Sequence, residues 1–211
     1  MTDAKATCLW FVRVVHGLGS ARLVGMEDRV SEAFAATPRA GFLPRLARGR
    51  AAYDGPIQIG RGQTNSQPRT VANMLRLLDV RPGDRVLDVG AGSGWSTALL
   101  ARLTGPTGEV IGVELEPELV EFGRRNLART DRPWARIEQA AAGRLGWPDE
   151  APYDRVLVSA EPRTLPSELV DQLGGDGRMV IPVHGIMLLV VATADGPVIT
   201  RHGGYRFVPL R

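Results

Sequence analysis

Three glycines at alternate positions directly after a short apolar segment constrain this chain more than any other feature. The segment reads Arg-Val-Leu-Asp-Val over residues 85–89, and the glycines are Gly90, Gly92 and Gly94. A second apolar run follows, and Glu114 ends it 20 residues after the last glycine. Glycine lets a backbone turn tightly and approach a ligand closely, and an acidic residue at this distance can bond ribose hydroxyls. The pattern therefore predicts a site for an adenosine-containing cofactor.

Strand-like and helix-like segments alternate along most of the chain. Most of the strand-like segments are largely apolar rather than alternating, which is typical of strands covered on both faces. The alternation predicts a doubly wound α/β fold with a mostly parallel sheet. Two β-rich runs, 186–194 and 198–210, are joined by Asp195-Gly196-Pro197, which predicts an antiparallel hairpin at the end of the chain. The other predicted strands are 85–89, 109–114, 135–139, 154–159 and 177–183, and the predicted helices are 95–103, 117–129 and 166–173, with two more beginning near Glu27 and Pro68.

The chain is expected to fold as one domain with a small appendage. Residues 27–211 form the predicted domain, and residues 1–26 form an extension whose pattern fits nothing downstream. Between the first two predicted helices, residues 39–66 are rich in glycine and proline. An irregular segment of this length inside a compact domain is usually functional. We therefore expect residues 39–66 to contribute to the site.

Composition and charge argue against several classes of function. The chain is 44% hydrophobic and 23% charged, which is ordinary for a soluble globular protein. Its net charge is +3, but the arginines are spread along the chain and form no basic patch, so no nucleic-acid partner is expected. No stretch approaches the ~20 apolar residues of a membrane span. Cys8 is the only cysteine. The apolar run after Lys5 lacks a signal-peptide cleavage site. A cytoplasmic protein without a metal site or membrane partner is expected.

Asp88, two residues before the first glycine, narrows the choice of cofactor. A strand containing this aspartate, followed by Gly-x-Gly-x-Gly and a later acidic residue, resembles the S-adenosylmethionine-dependent methyltransferases. The resemblance implies that the glycine loop lies under the methionine part of S-adenosyl-L-methionine and that Glu114 holds the ribose. The alternative is purely structural: the glycines make a tight turn, and Glu114 caps the helix near Pro117.

Further motifs indicate which family of methyltransferases the chain resembles. The most specific is the segment 59–68, Ile-Gly-Arg-Gly-Gln-Thr-Asn-Ser-Gln-Pro, whose Gly-Gln-Thr-x-Ser-x-Pro core generic methyltransferases lack. Together with other stretches, it resembles the protein-L-isoaspartate O-methyltransferases from about Glu27 to Leu210. The other matching stretches are Thr37-Pro38-Arg39, residues 145–154, residues 172–183 and Phe207-Val208-Pro209-Leu210.

The resemblance implies a repair reaction. The family transfers a methyl group from S-adenosyl-L-methionine to the free carboxylate of an isoaspartyl residue in an aged protein or peptide, leaving S-adenosyl-L-homocysteine. The ester then cyclises to a succinimide without the enzyme, and hydrolysis returns some normal aspartate. A carboxylate with a pKa of ~4 is ionised at neutral pH, so no catalytic base is required. A monomer is the expected state.

Ser66 matches the family's active-site serine, and its expected role is to orient the carboxylate through a hydrogen bond. The structural alternative is that Ser66 caps the helix near Pro68. The residues expected to contact the cofactor are Gln63, Thr64, Asn65, Asp88, Gly90, Ala91, Gly92, Gly94, Glu114, Ala142 and Gly143.

Two departures from the family pattern leave other functions open. Ala142 stands where the family has an aspartate near the adenine amino group, and one lost hydrogen bond is worth about 0.5–1.5 kcal/mol. Asn65 stands beside the serine where the family has an apolar residue. A relative that methylates an aspartate of a dedicated ribosomal peptide, giving an aspartimide, is one alternative. The other is an S-adenosylmethionine-binding protein that has lost methyl transfer, against which the intact Ser66, Asp88 and Glu114 argue.

Overall fold

The computed structural model describes residues 24–211, and their side chains from Arg29 onward. Residues 1–23, which include Cys8 and most of the predicted extension 1–26, lie outside the described residues. The predicted domain boundary therefore remains a prediction. Among the described helices, none is both long enough and apolar enough to cross a membrane.

Strands and helices alternate as expected through the middle of the chain. Strands β3, β4 and β5 match the predicted bounds. The strands are β1 (Ile57–Gly60), β2 (Gln63–Asn65), β3 (Arg85–Val89), β4 (Glu109–Glu114), β5 (Ala135–Gln139), β6 (Tyr153–Val158), β7 (Leu173–Val183), β8 (Ile186–Val191) and β9 (Val198–Gly204). The α-helices are α1 (Val24–Ala35), α2 (Pro68–Leu78), α3 (Trp95–Thr104), α4 (Pro117–Leu127) and α5 (Ser167–Val170), and short 3-10 turns cover Arg39–Phe42, Arg45–Arg50 and Pro148–Glu150.

A seven-stranded sheet organises the described chain. Its strand order is β5-β4-β3-β6-β7-β8-β9. The pairs from β5 to β7 are parallel, whereas β7–β8 and β8–β9 are antiparallel. The doubly wound, mostly parallel sheet with an antiparallel C-terminal hairpin is therefore confirmed. Strands β1 and β2 form a separate antiparallel pair within the predicted irregular segment.

Both faces of the central strands β3 and β4 are buried, which explains their largely apolar sequences. Val86 packs with residues of α1, α2, α3 and α4, whereas the next residue, Leu87, packs with Tyr153 and Leu169 on the other face. That second face is covered by α5 and by residues 145–151 rather than by long helices. The predicted helix over 166–173 is therefore wrong in length. It ends at Val170 because Leu173 already pairs with Tyr153 in β7.

The end of the chain differs from the predicted strand over 198–210. Strand β9 stops at Gly204, after Gly203 adopts a φ of +87°. The N–H groups of Phe207 and Leu210 then donate to Glu161, the first to its carboxylate and the second to its carbonyl oxygen. These bonds hold the last residues against the loop that follows β6 instead of extending the hairpin. The C-terminal segment therefore reaches the carboxyl edge of the parallel strands.

Candidate active site

A cavity opens at the carboxyl ends of β3, β4 and β6. Along the sheet, β4 and β5 lie on one side of β3 and β6 lies on the other, so the strand order reverses here. Ligand sites of open α/β sheets lie at such a reversal. Of the predicted site residues, the lining includes Gln63, Thr64, Asn65, Ser66, Gly90, Ala91, Gly92 and Glu114, joined by residues such as Leu115, Ala141, Arg144, Ser159 and Leu210.

The glycine loop combines a structural and a site role. Gly90, Gly92 and Gly94 have φ values of +83°, +53° and +83°, a backbone conformation that strains other L-residues. The N–H groups of Gly90 and Ala91 donate to the carbonyl oxygen of Val113 at 2.9 and 3.0 Å. Gly90, Ala91 and Gly92 line the cavity, whereas Gly94 is the N-cap residue of α3 and lies outside the lining. The purely structural alternative therefore describes Gly94, while the first two glycines also face the cavity.

Gly123 of α4 supports this loop from behind, and nothing in the sequence pattern had singled it out. A Cβ at Gly123 would lie 2.9 Å from the carbonyl oxygen of Gly92 and 2.8 Å from Cδ1 of Ile137. Since the glycine oxygen belongs to the backbone, it cannot rotate away as a side chain can. The close approach of α4 to the glycine loop therefore requires a residue without a side chain.

We expect Gly123→Ala to lower the free energy of unfolding and to weaken binding of S-adenosyl-L-homocysteine. Helix propensity alone favours alanine by about 1 kcal/mol, but overpacking a tight contact costs about 1–3 kcal/mol. Urea unfolding and calorimetric titration measure the two effects. Gly49→Ala is the control, because nothing lies within 4 Å of a Cβ at Gly49. A Gly123 variant more stable than wild type, with unchanged affinity, would show that the contact is loose.

The carboxylate of Glu114 is held in place by the backbone around the cavity. Its Oε2 accepts the N–H of Gly92 at 2.9 Å, and its Oε1 accepts the N–H groups of Leu115 and Glu116 at 2.7 and 2.9 Å. It does not cap α4, whose N-cap residue is Glu116 with no side-chain capping bond. An ionised carboxylate has about four acceptor positions, so about one remains for a ligand hydroxyl. Glu114 therefore fits the predicted ribose contact better than the predicted cap.

Asp88 lies beneath the glycine loop and outside the cavity lining. Its side chain is fully buried, and its Oδ2 accepts the hydroxyls of Ser96 and Thr97, each at 2.7 Å. Among the described residues its Oδ1 has no partner. Burial raises the pKa of Asp88 to about 6, the two hydroxyls lower it, and the nearby Glu114 raises it. Asp88 thus fixes the first turn of α3, and its contact with a cofactor remains a prediction.

The titration of Asp88 gives a pH-dependent expectation for stability. Because its pKa is about 6 in the folded protein and 3.8 without the fold, its contribution to stability is present at low pH and lost as pH rises through 6. Asp88→Asn removes this titration. The unfolding free energy of the variant, relative to wild type, should therefore increase by about 1–3 kcal/mol from pH 4 to pH 8. Urea unfolding without cofactor measures it, and a difference independent of pH would contradict the expectation.

The loop from β2 to α2 brings Ser66 to the cavity. Ser66 does not cap α2, so that alternative is wrong: the N-cap residue is Gln67, without a side-chain bond, and the N–H of Arg69 donates to Asp54 Oδ1 at 3.1 Å. The carbonyl oxygen of Ser66 accepts Nη2 of Arg39 at 2.9 Å. Within residues 24–211, no protein group bonds the Ser66 hydroxyl, which leaves it available to a substrate.

Arg39 organises this loop, although the sequence had marked it only as part of a short motif. Its side chain is buried, at 5% exposure. Nη1 donates to the carbonyl oxygen of Tyr53 at 2.7 Å. Nη2 donates to the carbonyl oxygens of Gly55, Asn65 and Ser66 at 2.9, 3.0 and 2.9 Å. A single guanidinium therefore fixes the backbone on both sides of the predicted catalytic serine.

Ala142 and Gly143 are not brought to the cavity. Both are exposed and absent from its lining, whereas their neighbours Ala141 and Arg144 contribute to it. Arg144 pairs through Nη1 with Asp149 at 2.9 Å, an exposed contact. The assignment of Ala142 and Gly143 to the cofactor therefore stays a prediction, and it lacks a contact with the cavity in this structure.

The last four residues, 208–211, form a wall that sequence analysis missed because it predicted a strand there. The carboxylate of Glu161 anchors them by accepting the N–H groups of Gly185 and Phe207 at 2.6 and 3.2 Å. Arg211 pairs with Glu116, Nη2 to Oε1, at 2.6 Å.

Across residues 24–211, no three His, Cys, Asp or Glu side chains come together in a group that could hold a metal ion.

Comparison with known proteins gives a consistent family match. The family model for protein-L-isoaspartate(D-aspartate) O-methyltransferase matches residues 13–211. A protein-L-isoaspartate O-methyltransferase of Methanopyrus kandleri is 48% identical over 189 residues, covering 87% of this chain and 84% of the relative. One of Aeropyrum pernix is 45% identical over 204 residues, covering 94% and 78%.

Solved structures extend the match to the fold. A structure of a protein-L-isoaspartate O-methyltransferase superposes with a TM-score of 0.78 at 25% identity, covering 90% of this chain but 63% of that longer chain. A Plasmodium falciparum structure assigned to the same family, in complex with S-adenosyl-L-homocysteine, has a TM-score of 0.76 at 28% identity, covering 87% and 90%.

Proposed function

The chain belongs to the protein-L-isoaspartate(D-aspartate) O-methyltransferase family, and from that premise we propose that it methylates the free carboxylate of L-isoaspartyl residues in damaged proteins or peptides. The methyl donor in this proposal is S-adenosyl-L-methionine, and S-adenosyl-L-homocysteine is the second product. The observation that carries the proposal is one shared cavity, lined both by the glycine loop with Glu114 and by Ser66. A cofactor site and a carboxylate site thus adjoin each other.

The residues present fit the cofactor. Gly90 and Gly92 carry no Cβ at the cavity wall, and Glu114 keeps an acceptor position for a hydroxyl. Apolar side chains such as Leu115 and Leu210 line the same space and would exclude water. When bound, S-adenosyl-L-methionine supplies a methyl group on a positively charged sulfur. Among the described residues that line the cavity, those around Gly90 and Glu114 are the ones we propose to hold it.

The proposed role of Ser66 is to orient the acceptor. Its hydroxyl donates to one oxygen of the isoaspartyl carboxylate and leaves the other oxygen to act as the nucleophile. Because a carboxylate is ionised at neutral pH, no residue needs to remove a proton. The protein then has to align the reactants and exclude water, and alignment alone can supply about 7–11 kcal/mol of the barrier. A site without an obvious base is sufficient for this chemistry.

Location and partners are part of the proposal. We propose a cytoplasmic monomer that acts on isoaspartyl-containing proteins and peptides, without a nucleic-acid or membrane partner. The single cysteine of the sequence suits a reducing compartment. The net charge of +3, spread over the chain without a basic patch, supports the absence of a nucleic-acid surface.

Neither alternative gains support from the site. Asn65 motivated the dedicated-peptide methyltransferase, but its side chain is buried at 5% exposure and bonds Arg39 and Ser93. Ala142 motivated the inactive binding protein, but it lies outside the cavity lining. General repair is therefore the function that the geometry favours.

Conversion of an isoaspartyl peptide tests the repair proposal. The peptide is incubated with the protein and S-adenosyl-L-methionine, and the aspartyl and isoaspartyl forms are separated by chromatography over time. The expected result is a decline of the isoaspartyl form, a transient succinimide and growth of the aspartyl form. A protein that binds S-adenosyl-L-homocysteine yet converts none of several isoaspartyl peptides would contradict general repair.

A further inference from the structure

The side chain of Asn65 connects the serine loop to the glycine loop. Its Oδ1 accepts Nε of Arg39 at 2.6 Å, and its Nδ2 donates to Oγ of Ser93 at 3.0 Å. The donor on Arg39 requires the amide oxygen on that side, so the nitrogen faces Ser93. Asn65 and Ser93 are 5% and 2% exposed, so little water competes for either bond.

Both ends of this bridge are anchored in the fold. On one side, Arg39 holds the carbonyl oxygens of Asn65 and Ser66, the two residues that end β2 and enter the α2 turn. On the other side, the carbonyl oxygen of Ser93 accepts Nδ2 of Asn126 in α4 at 3.0 Å. A displacement of the glycine loop would therefore be transmitted to the backbone of Ser66 through one buried amide.

We propose that Asn65 is a positioning residue that keeps Ser66 in register with the glycine loop through its bond to Ser93. This inference rests on the proposed function for its catalytic consequence, because Ser66 is the group that contacts the carboxylate. Although Asn65 lines the cavity, its amide oxygen already accepts from Arg39 and its amide nitrogen already donates to Ser93, so we assign the amide to the bridge rather than to a reactant. Its substitution should therefore affect the alignment of the reactants more than their binding.

Two variants of Asn65 separate the bridge from simple packing. Asn65→Leu keeps the approximate size and removes both hydrogen bonds. Asn65→Asp keeps both, because one oxygen accepts Nε of Arg39 and the other accepts the hydroxyl proton of Ser93. Ser93→Ala removes the same link from the other side and leaves the Arg39 bond intact. Asn73→Leu is the matched control. Asn73 lies on α2 and outside the cavity lining, and its side-chain amide donates to Oη of Tyr205.

The measurements are kcat and KM with an isoaspartyl peptide, Kd for S-adenosyl-L-homocysteine, and amide hydrogen exchange of residues 63–66 without ligand. For Asn65→Leu and Ser93→Ala we expect kcat to fall by about 10–50-fold with Kd changed less than about 3-fold, because small misalignments are costly. Amide exchange of residues 63–66 should rise in the same two variants. The kcat of Asn65→Asp should stay within about 3-fold of the wild-type value, and the kcat of Asn73→Leu should match it. The double variant, with Asn65→Leu and Ser93→Ala combined, should lose little more kcat than either single variant.

Several outcomes would overturn the inference: a loss in Asn65→Asp as large as in Asn65→Leu, additive losses in the double variant, or a rise in Kd as large as the fall in kcat. If Asn65→Leu does not fold, Ser93→Ala decides the question. Failure of the proposed function is distinguishable, because a wild type inactive on isoaspartyl peptides would remove the kinetic data only. The exchange and Kd measurements would still decide whether the bridge exists.

Discussion

Replacing Ser66 with alanine is expected to lower turnover of an isoaspartyl peptide by about 10–100-fold, because a hydrogen bond to a charged group is worth about 1.5–3 kcal/mol. Ser66 lines the cavity, and its hydroxyl bonds no protein group in the described part of the chain. The affinity for S-adenosyl-L-homocysteine should change by less than about 3-fold, since Glu114 and the glycine loop are untouched. Steady-state kinetics and calorimetric titration measure the two quantities.

The free energy of unfolding distinguishes a role of Ser66 in the reaction from a role in the fold. Since α2 has Gln67 as its N-cap residue and Ser66 makes no capping bond, the free energy of unfolding of Ser66→Ala should stay within about 0.5 kcal/mol of wild type. Thr70→Ala is a control in the same turn, because within residues 24–211 the hydroxyl of Thr70 bonds only the side chain of Gln67, at 3.3 Å. A Ser66 variant with full turnover and reduced stability would show that the hydroxyl serves the fold and not the reaction.

Replacing Arg39 with methionine is expected to cost about 3–5 kcal/mol of unfolding free energy, because four carbonyl oxygens lose their donor at a largely buried site. Those oxygens belong to Tyr53, Gly55, Asn65 and Ser66. Methionine restores the apolar volume of the side chain but none of the hydrogen bonds. Where the variant folds, turnover should fall as well, because the backbone of Ser66 is no longer held.

The control for this change is Arg48→Met. Arg48 is exposed, and among the described residues its side chain makes one long bond, from Nε to the carbonyl oxygen of Leu43 at 3.3 Å. Its replacement should change the unfolding free energy by less than about 0.5 kcal/mol. Urea unfolding of both variants at one pH gives the comparison. Equal losses in the two would mean that the buried hydrogen bonds of Arg39 contribute little.

The parallel strands and the turn after β3 are predictable from the sequence because each depends on local features. Strands β3 and β4 are short, largely apolar runs preceded by a charged residue or glycine, and burial on both faces leaves no polar alternation to obscure them. The positive φ values of Gly90, Gly92 and Gly94 likewise follow from residue type. The sequence therefore predicted both the strand positions and the cavity edge.

What escaped prediction depends on contacts between distant residues. Arg39 meets Asn65 and Ser66 because the 3-10 turn Arg39–Phe42 and the end of β2 are brought together in three dimensions, and no local pattern encodes that meeting. The C-terminal segment leaves β9 because Glu161 binds its N–H groups, although its sequence suits a strand. In the sequence, Asn65 is only a departure from an apolar family position, and its role as a buried bridge follows from its contacts with Arg39 and Ser93.

Methyl transfer to a matched pair of peptides tests the proposed activity most directly. The protein is incubated with S-adenosyl-L-methionine carrying a labelled methyl group and with two peptides that differ only in an isoaspartyl or an aspartyl linkage. We expect base-labile label on the isoaspartyl peptide alone. Equal label on both peptides, or none on either from a protein that binds S-adenosyl-L-homocysteine, would contradict it.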